Sequence, residues 1–329
     1  MEDLPNKMRD VLGVLADVDL IEEAGHDLVR ITVAPYPYPV SYKGEYHVRI
    51  GSTKQMLKGP ELNRFLISKT GKRWDSVPVP DVNVSQLKKK RIRWFRRKAG
   101  ELDRLPKIAK REDDEVLIEK LRLKEGDLLR RAALLLFHDA PDDFFTGALI
   151  KIAYFKSDSD LRFQDVIQGD LFTQIDQAMD LLTTKYLQAA FSIEGTRHTE
   201  RLPIPEEALR EAVINAVAHK DYGSGNPIQI SVYDDKLMIW NSGQLSKDWT
   251  IERLYGKHPS IPFNPDVANQ MFRAGNIEAW GTGIDRMVSA CDRHGCPPPI
   301  PVISGSTTDI TICIATIAST ALPPSFNIE

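Results

Sequence analysis

The run PEEALREAVINAVAHK, Pro205 to Lys220, opens on a proline, continues through Glu206 and Glu207, and closes on His219 and Lys220. Proline presets φ for a helical first turn, acids favour the positive end of the backbone dipole and basic groups its negative end, so the run is predicted to be helical. At about 100° per residue, Glu211, Asn215 and His219 share one narrow arc of a helix that is otherwise largely apolar. Any one of them alone reads as a cap or a hydrogen-bond partner for a neighbouring segment. Together, a carboxylate, an amide oxygen and an imidazole one turn apart suit the orienting of a water, the holding of a hard cation such as Mg²⁺, or contact with a phosphate or ribose.

Downstream, Gly223-Ser224-Gly225-Asn226 marks a loop, and the alternation Ile228, Ile230, Val232, a turn at Asp234-Asp235 and the run Leu237 to Trp240 predict a hairpin. Asn241-Ser242-Gly243 then reads as a strand end that turns at a glycine. Further on, Gly281-Thr282-Gly283-Ile284 precedes the helical pattern Met287, Val288, Ala290, Cys291. Glycines at a helix N-terminus let an anion approach the backbone closely.

These residues resemble the Bergerat-fold ATPases, the superfamily of gyrase, heat-shock chaperone, histidine kinase and MutL proteins. Glu211, Asn215 and His219 look like its N-box, Asn241-Ser242-Gly243 like a degenerate first glycine box, and Gly281-Thr282-Gly283 like the second. The resemblance is closest to the divergent RecG-like transcriptional-regulator branch, in which a Schlafen AlbA-type DNA-binding domain precedes the ATPase-like one. The phrases that carry it are YHVRIGST, RAALLLFHDAP, IEGTRHTERLPIPEEALREAVINAVAHKDY, IQISVYDDKLMIWNSGQL and FRAGNIEAWGTGIDRM.

The resemblance implies ATP and Mg²⁺ as cofactors, Glu211 as the water-activating carboxylate and Asn215 as the metal ligand. His219, Asn241, Gly243, Gly281, Thr282 and Gly283 would line the nucleotide pocket. Active members of the superfamily place an aspartate where Asn241 stands. An asparagine oxygen still accepts a bond from the adenine amino group, but without charge, so ATP binding is expected rather than fast hydrolysis.

Composition is that of an ordinary globular chain: 329 residues, 42% hydrophobic, 27% charged, formal net charge −3. Such a charge gives no global nucleic-acid signature, so DNA contact would rest on a local patch. No apolar run approaches the roughly 20 residues of a membrane span, and Met1-Glu2-Asp3 is no secretory start. The chain is expected in the cytoplasm, its three cysteines reduced. The string Cys291 to Cys296, CDRHGC, matches no zinc spacing and reads as a helix ending at His294 with Gly295 as its stop.

The fold class expected is α+β in three parts. Residues 1–85 make a small unit resembling part of the AlbA-type domain, 86–195 a basic linker helix and a mixed connecting region, and 196–329 a two-layer nucleotide-binding sandwich. The acidic and lysine motif of the AlbA-type beginning does not precede Met1, so nuclease carboxylates are not expected. Helix-like spacing runs through part of Asp10 to Glu23, strands are predicted at Leu28 to Val33 and Tyr46 to Ile50, and a connector at Trp74 to Pro80. Helices are predicted at Glu115 to Leu121, Leu128 to Phe137 and Asp170 to Leu187, with strands at Ala148 to Phe155 and Ile310 to Ile317.

The segment KKKRIRWFRRK places Lys88, Lys89, Lys90, Arg91, Arg93, Arg96, Arg97 and Lys98 around Trp94 and Phe95. One reading neutralises phosphates and stacks an aromatic on a base. The other is an amphipathic helix that buries Ile92 and Phe95, its basic face in water. Lys257 and His258 are candidates for reaching phosphate from the region between the glycine boxes.

The function expected is an ATP-binding, DNA-associated regulator with weak or no hydrolysis; a slow ATPase and a binding module with a vestigial pocket are the alternatives. A P-loop helicase is excluded, because neither Gly71-Lys72 nor Gly256-Lys257 is followed by Ser or Thr. Nucleotide and DNA are the partners expected, no membrane is among them, and homo-oligomer formation is left open.

Overall fold

The computed structural model describes residues 4–23, 25–33, 39–69, 71–105, 113–187, 190–194, 197–243, 251–255, 259–278, 281–304 and 309–315. The chain is α+β and forms two compact units, Met1–Trp74 and Asp75–Glu329.

The first unit runs α1 (Leu4–Leu12), β1 (Asp17–Glu23), β2 (His26–Thr32), β3 (His47–Ile50), β4 (Thr53–Met56) and α2 (Gly59–Lys69). The helix-like spacing over Asp10 to Glu23 gives a helix only as far as Leu12. From Asp17 the residues alternate Asp-Val-Asp-Leu, and β1 pairs antiparallel with β2 from Asp17 opposite Thr32 to Glu23 opposite His26. Cross-strand pairing over seven positions prevails there over a helical spacing too short to bury a stripe.

In the second unit, β5 (Pro78–Val79) leads to α3 (Lys89–Glu101), α4 (Asp114–Lys120), β6 (Lys124–Glu125), β7 (Leu128–Arg130) and α5 (Arg131–Phe137). Next come β8 (Ile150–Ser157), β9 (Asp160–Ile167), α6 (Leu171–Leu181), β10 (Ala190–Glu194), β11 (Arg197–Arg201) and α7 (Glu206–His219). Then follow β12 (Ile228–Val232), β13 (Lys236–Asn241), α8 (Ile251–Leu254), α9 (Pro265–Arg273), α10 (Gly283–His294), β14 (Ile300–Ser304) and β15 (Asp309–Ala315).

Two sequence readings need correction here. Leu128 to Phe137 is not one helix: Leu128–Arg130 pairs between β5 and β6, with buried Leu129 opposite both Val79 and Lys124, and the helix starts at Arg131. Nor is the stretch after Trp74 loose. Asp75 is wholly buried, and its Oδ2 accepts from the backbone N–H of Asp266 at 2.7 Å and Val267 at 3.0 Å. It thereby caps α9 from a distance, a task that the adjacent Asn264 side chain does not perform.

The main sheet has strand order β14-β15-β13-β12-β8-β9, with one parallel pair, β12 with β8, and antiparallel neighbours elsewhere. Strands β8 and β9, from the stretch that reads as connecting in sequence, thus share a sheet with the C-terminal strands. Alternation at Ile228, Ile230 and Val232 gives the sheet a buried face: Ile230 lies opposite Ile152 and Ile239, and Ile239 opposite Ile312, all buried. Lys151 and Gln229, opposite each other on the other face, are exposed. Helices α6 and α7 pack on the buried face, with α10 and α9 against α7.

Helix α10 stops at His294 as expected. Gly295 adopts φ 78°, and the N–H groups of Gly295 and Cys296 both return to the Cys291 carbonyl, at 2.8 and 3.1 Å. Cys291 and Cys296 are buried free thiols, and burial pushes Cys291 up to about 12.

Candidate functional site

Helix α7 is held by Ala208, Leu209, Ala212, Val213, Ala216 and Val217, all buried. That packing leaves its polar arc facing an open cleft. Glu211, Asn215 and His219 all line it, together with Asn241, Gly281, Thr282 and Gly283. Arg286 and Glu278 complete the polar wall, and Leu254, Ile261, Ile284 and Ile312 supply apolar surface. The cleft opens to solvent and holds about 1150 Å³ of empty space with the solvent at its mouth counted. Gly243 is buried at the end of β13 but is not among the lining residues. Lys257 and His258 lie outside the described residues.

The tightest geometry is where α10 begins. A methyl group built on Gly283 would sit 2.4 Å from Glu211 Oε1 and 3.2 Å from Asn215 Nδ2, so glycine lets the helix start against that pair with both side chains in place. The Thr282 side chain makes no cap bond, and Gly281 turns with φ 62°. A helix N-terminus in this position aims backbone N–H groups and the positive end of its dipole at the cleft.

Glu211 is buried, and burial pushes its carboxyl above the usual range. Arg286, whose Nη2 lies 3.5 Å from Glu211 Oε2, works against that rise, while Glu207 and Glu278 add to it. At the far side, Asn241 is buried and its Nδ2 donates to the Ser242 carbonyl at 3.2 Å. Among the described residues no cluster of three or more His, Cys, Asp or Glu side chains is placed to hold a metal ion. Carboxylate and amide oxygens are the hard donors Mg²⁺ prefers, but Glu211 and Asn215 alone leave most of its coordination to water or phosphate.

Behind the cleft lies a polar layer that the sequence does not announce. Asn264 Nδ2 donates to the carbonyls of Ala218 at 3.0 Å and Lys220 at 2.7 Å, which closes the C-terminal end of α7. Lys220, predicted as an ordinary basic residue at a helix end, is wholly buried. Its Nζ lies 4.4 Å from the centre of the Tyr222 ring and 3.4 Å from the Asp221 carbonyl, and burial lowers it to about 8. Arg286 also escapes sequence reading, because a charged residue in a helix's first turn reads as solvated surface. Its placement three residues after Gly283 is the only hint.

The basic segment forms α3 and buries Ile92, Phe95 and Ala99. Phe95 meets Phe137 edge-on at 5.4 Å, and Trp94 leans on Phe172 at 5.0 Å. The amphipathic reading therefore describes the aromatics: Phe95 has no accessible surface, and the inner face of Trp94 is taken. Lys88 pairs with Asp139, Arg91 with buried Asp170 at 2.9 Å, Arg96 with Asp114 at 2.8 Å and Arg97 with Glu101 at 3.2 Å. Lys89, Lys90 and Arg93 are exposed, and Lys98 is half-buried.

Among the described residues no helix is long and apolar enough to cross a membrane. No curated protein matches the chain. A solved structure, that of the DIP2311 protein from Corynebacterium diphtheriae, is similar with a TM-score of 0.59 at 20% identity. The likeness extends over 95% of this chain and 62% of that one, and at such identity it speaks for the fold alone. Residues 225–312 match the family described as "Putative ATP-dependent DNA helicase recG C-terminal". That segment contains Asn241, Gly243 and Gly281 to Gly283 but begins after α7, so Glu211, Asn215 and His219 stand outside it. The match supports an ATPase-like domain in the C-terminal part of the chain.

Proposed function

We propose that the cleft between α7 and α10 binds ATP with Mg²⁺, and that the chain is a DNA-associated regulator with slow or no hydrolysis. The observation that bears most weight is the start of α10: Gly283 pressed against Glu211 and Asn215 in a solvent-open cleft lined by Asn241 and Gly281. Phosphates would meet the N-terminus at Gly281 to Gly283, and the base would lie toward Asn241 and the apolar wall. Asn215 would hold the ion jointly with phosphate oxygens, Glu211 would orient the attacking water, and Mg²⁺ would supply charge neutralisation there.

Weak turnover follows from two features. Asn241 contributes no charge to fix the base, and Arg286 shares the Glu211 carboxylate that a water-activating role requires. The DNA-associated part of the reading is supported by Lys89, Lys90 and Arg93, exposed and within one turn of each other on α3. It is an electrostatic contact without base stacking.

Calorimetric titration with ATP, with and without magnesium, tests the central reading. Saturable binding that strengthens with magnesium is expected, and Asn215→Ala should remove the magnesium-dependent part. A wild-type chain that takes up no nucleotide leaves the binding-module alternative standing.

A further inference from the structure

Arg286 reaches into the cleft from its mouth. Its side chain is 38% exposed, whereas the Glu211 carboxylate that it meets is 9% exposed. The contact is long, 3.5 Å between Nη2 and Oε2, and it uses one corner of a guanidinium that offers five N–H donors. Arg286 also stands in the first turn of α10, one turn beyond the Gly283 backbone that touches Glu211 Oε1. Glu211 is therefore flanked by Gly283 on one side and by a partly exposed cation on the other.

Resting on the nucleotide reading above, we infer that Arg286 is an anion-operated latch: it holds Glu211 in the empty cleft and transfers to the phosphates of a bound nucleotide. A planar guanidinium pairs with phosphate in two parallel hydrogen bonds, a better geometry than its single long contact to the carboxylate. Transfer exposes Glu211 only when a phosphorylated ligand is present. Arg286 is thus a positioning residue for Glu211 and a discriminator of phosphate number, and a nucleoside without phosphate leaves the latch closed.

Titration of the full chain with adenosine, AMP, ADP and ATP tests this in wild type, Arg286→Gln, Arg286→Lys, Glu211→Gln and the double variant. Wild type should bind more tightly with each added phosphate. Arg286→Gln should leave adenosine affinity within about twofold while lowering ATP affinity about tenfold or more, and Arg286→Lys should restore part of the loss. Glu211→Gln should strengthen ATP binding severalfold with Arg286 present and leave it unchanged in the Arg286→Gln background, because the gain comes from freeing Arg286 for phosphate.

Equal loss for adenosine and ATP, or a Glu211→Gln gain that persists without Arg286, overturns the latch and leaves nucleotide binding intact. Absence of binding by wild type to all four ligands overturns both readings at once. The lysine variant keeps the charge, so a folding defect in Arg286→Gln, visible by circular dichroism, still leaves a decisive comparison.

Discussion

At Gly283 the added methyl of an alanine needs space that Glu211 Oε1 holds, 2.4 Å away. Gly283 opens α10 and its close neighbour is the end of a flexible side chain, so Gly283→Ala should fold normally while Glu211 is pushed off position. Expected are an unchanged melting temperature within a few degrees and an ATP affinity at least about tenfold weaker by calorimetry, because the methyl stands where phosphates would meet the start of α10. Asp75 shows the opposite balance, with consequences for stability rather than for ligand. Burial raises its carboxyl from 3.8 to about 7. Between those values the folded chain keeps a proton that the unfolded chain has released, so the stability it contributes is full below pH 3.8 and is lost as pH rises through 7. Asp75→Asn, which cannot ionise, should flatten the fall in unfolding free energy between about pH 4 and pH 7 expected for wild type in denaturant titration. The polar arc on α7 was readable from spacing alone, because three polar residues on an apolar helix need an outlet. Asp75 and Lys220 were not readable, since nothing in a local pattern marks a charge whose burial is imposed by elements far away in sequence.

Among the elements, α7 is closed at its C-terminal end by a residue from the start of α9. Asn264→Ala would strip the Lys220 carbonyl of its buried side-chain donor and leave Ala218 only the backbone N–H of residue 264 at 3.3 Å, at a cost of about 1–3 kcal/mol. The loss should appear as a lower urea midpoint and as faster amide exchange in the last turn of α7, with exchange in β8 unchanged. The hairpin of β12 and β13 was legible because one face of it is buried and the period of two survives in the sequence. Helix α3 was legible as a helix but ambiguous as to purpose. Ile92 and Phe95 fit both a packed face and a stacking surface, and only the arrival of Phe137 and Phe172 from later elements decides for packing. Strand β7 was hidden for a similar reason: Leu128 and Leu129 continue, across Arg130 and Arg131, into the apolar run of α5, and only pairing with β5 and β6 sets them apart.

For the whole molecule, the two units differ in how much apolar surface they enclose. Among described side chains of Met1–Trp74, only Val14 is buried, whereas Asp75–Glu329 encloses the isoleucine-rich sheet face and the helices on it. Scanning calorimetry should therefore resolve two transitions, with the smaller, earlier one belonging to the first unit, and Mg-ATP should raise only the later one. The six-stranded sheet has a further consequence, for the order of assembly. It consists of three antiparallel pairs of strands consecutive in sequence, β8-β9, β12-β13 and β14-β15. The seams between them bring Ile150 beside Ile228 and Asn241 beside Ile310, positions widely separated along the chain. Local zippering is fast and distant loop closure is slow, so the kinetic bottleneck of folding lies in those two seams. The wall of the cleft that includes Asn241 and Ile312 is then among the last surfaces the polypeptide completes.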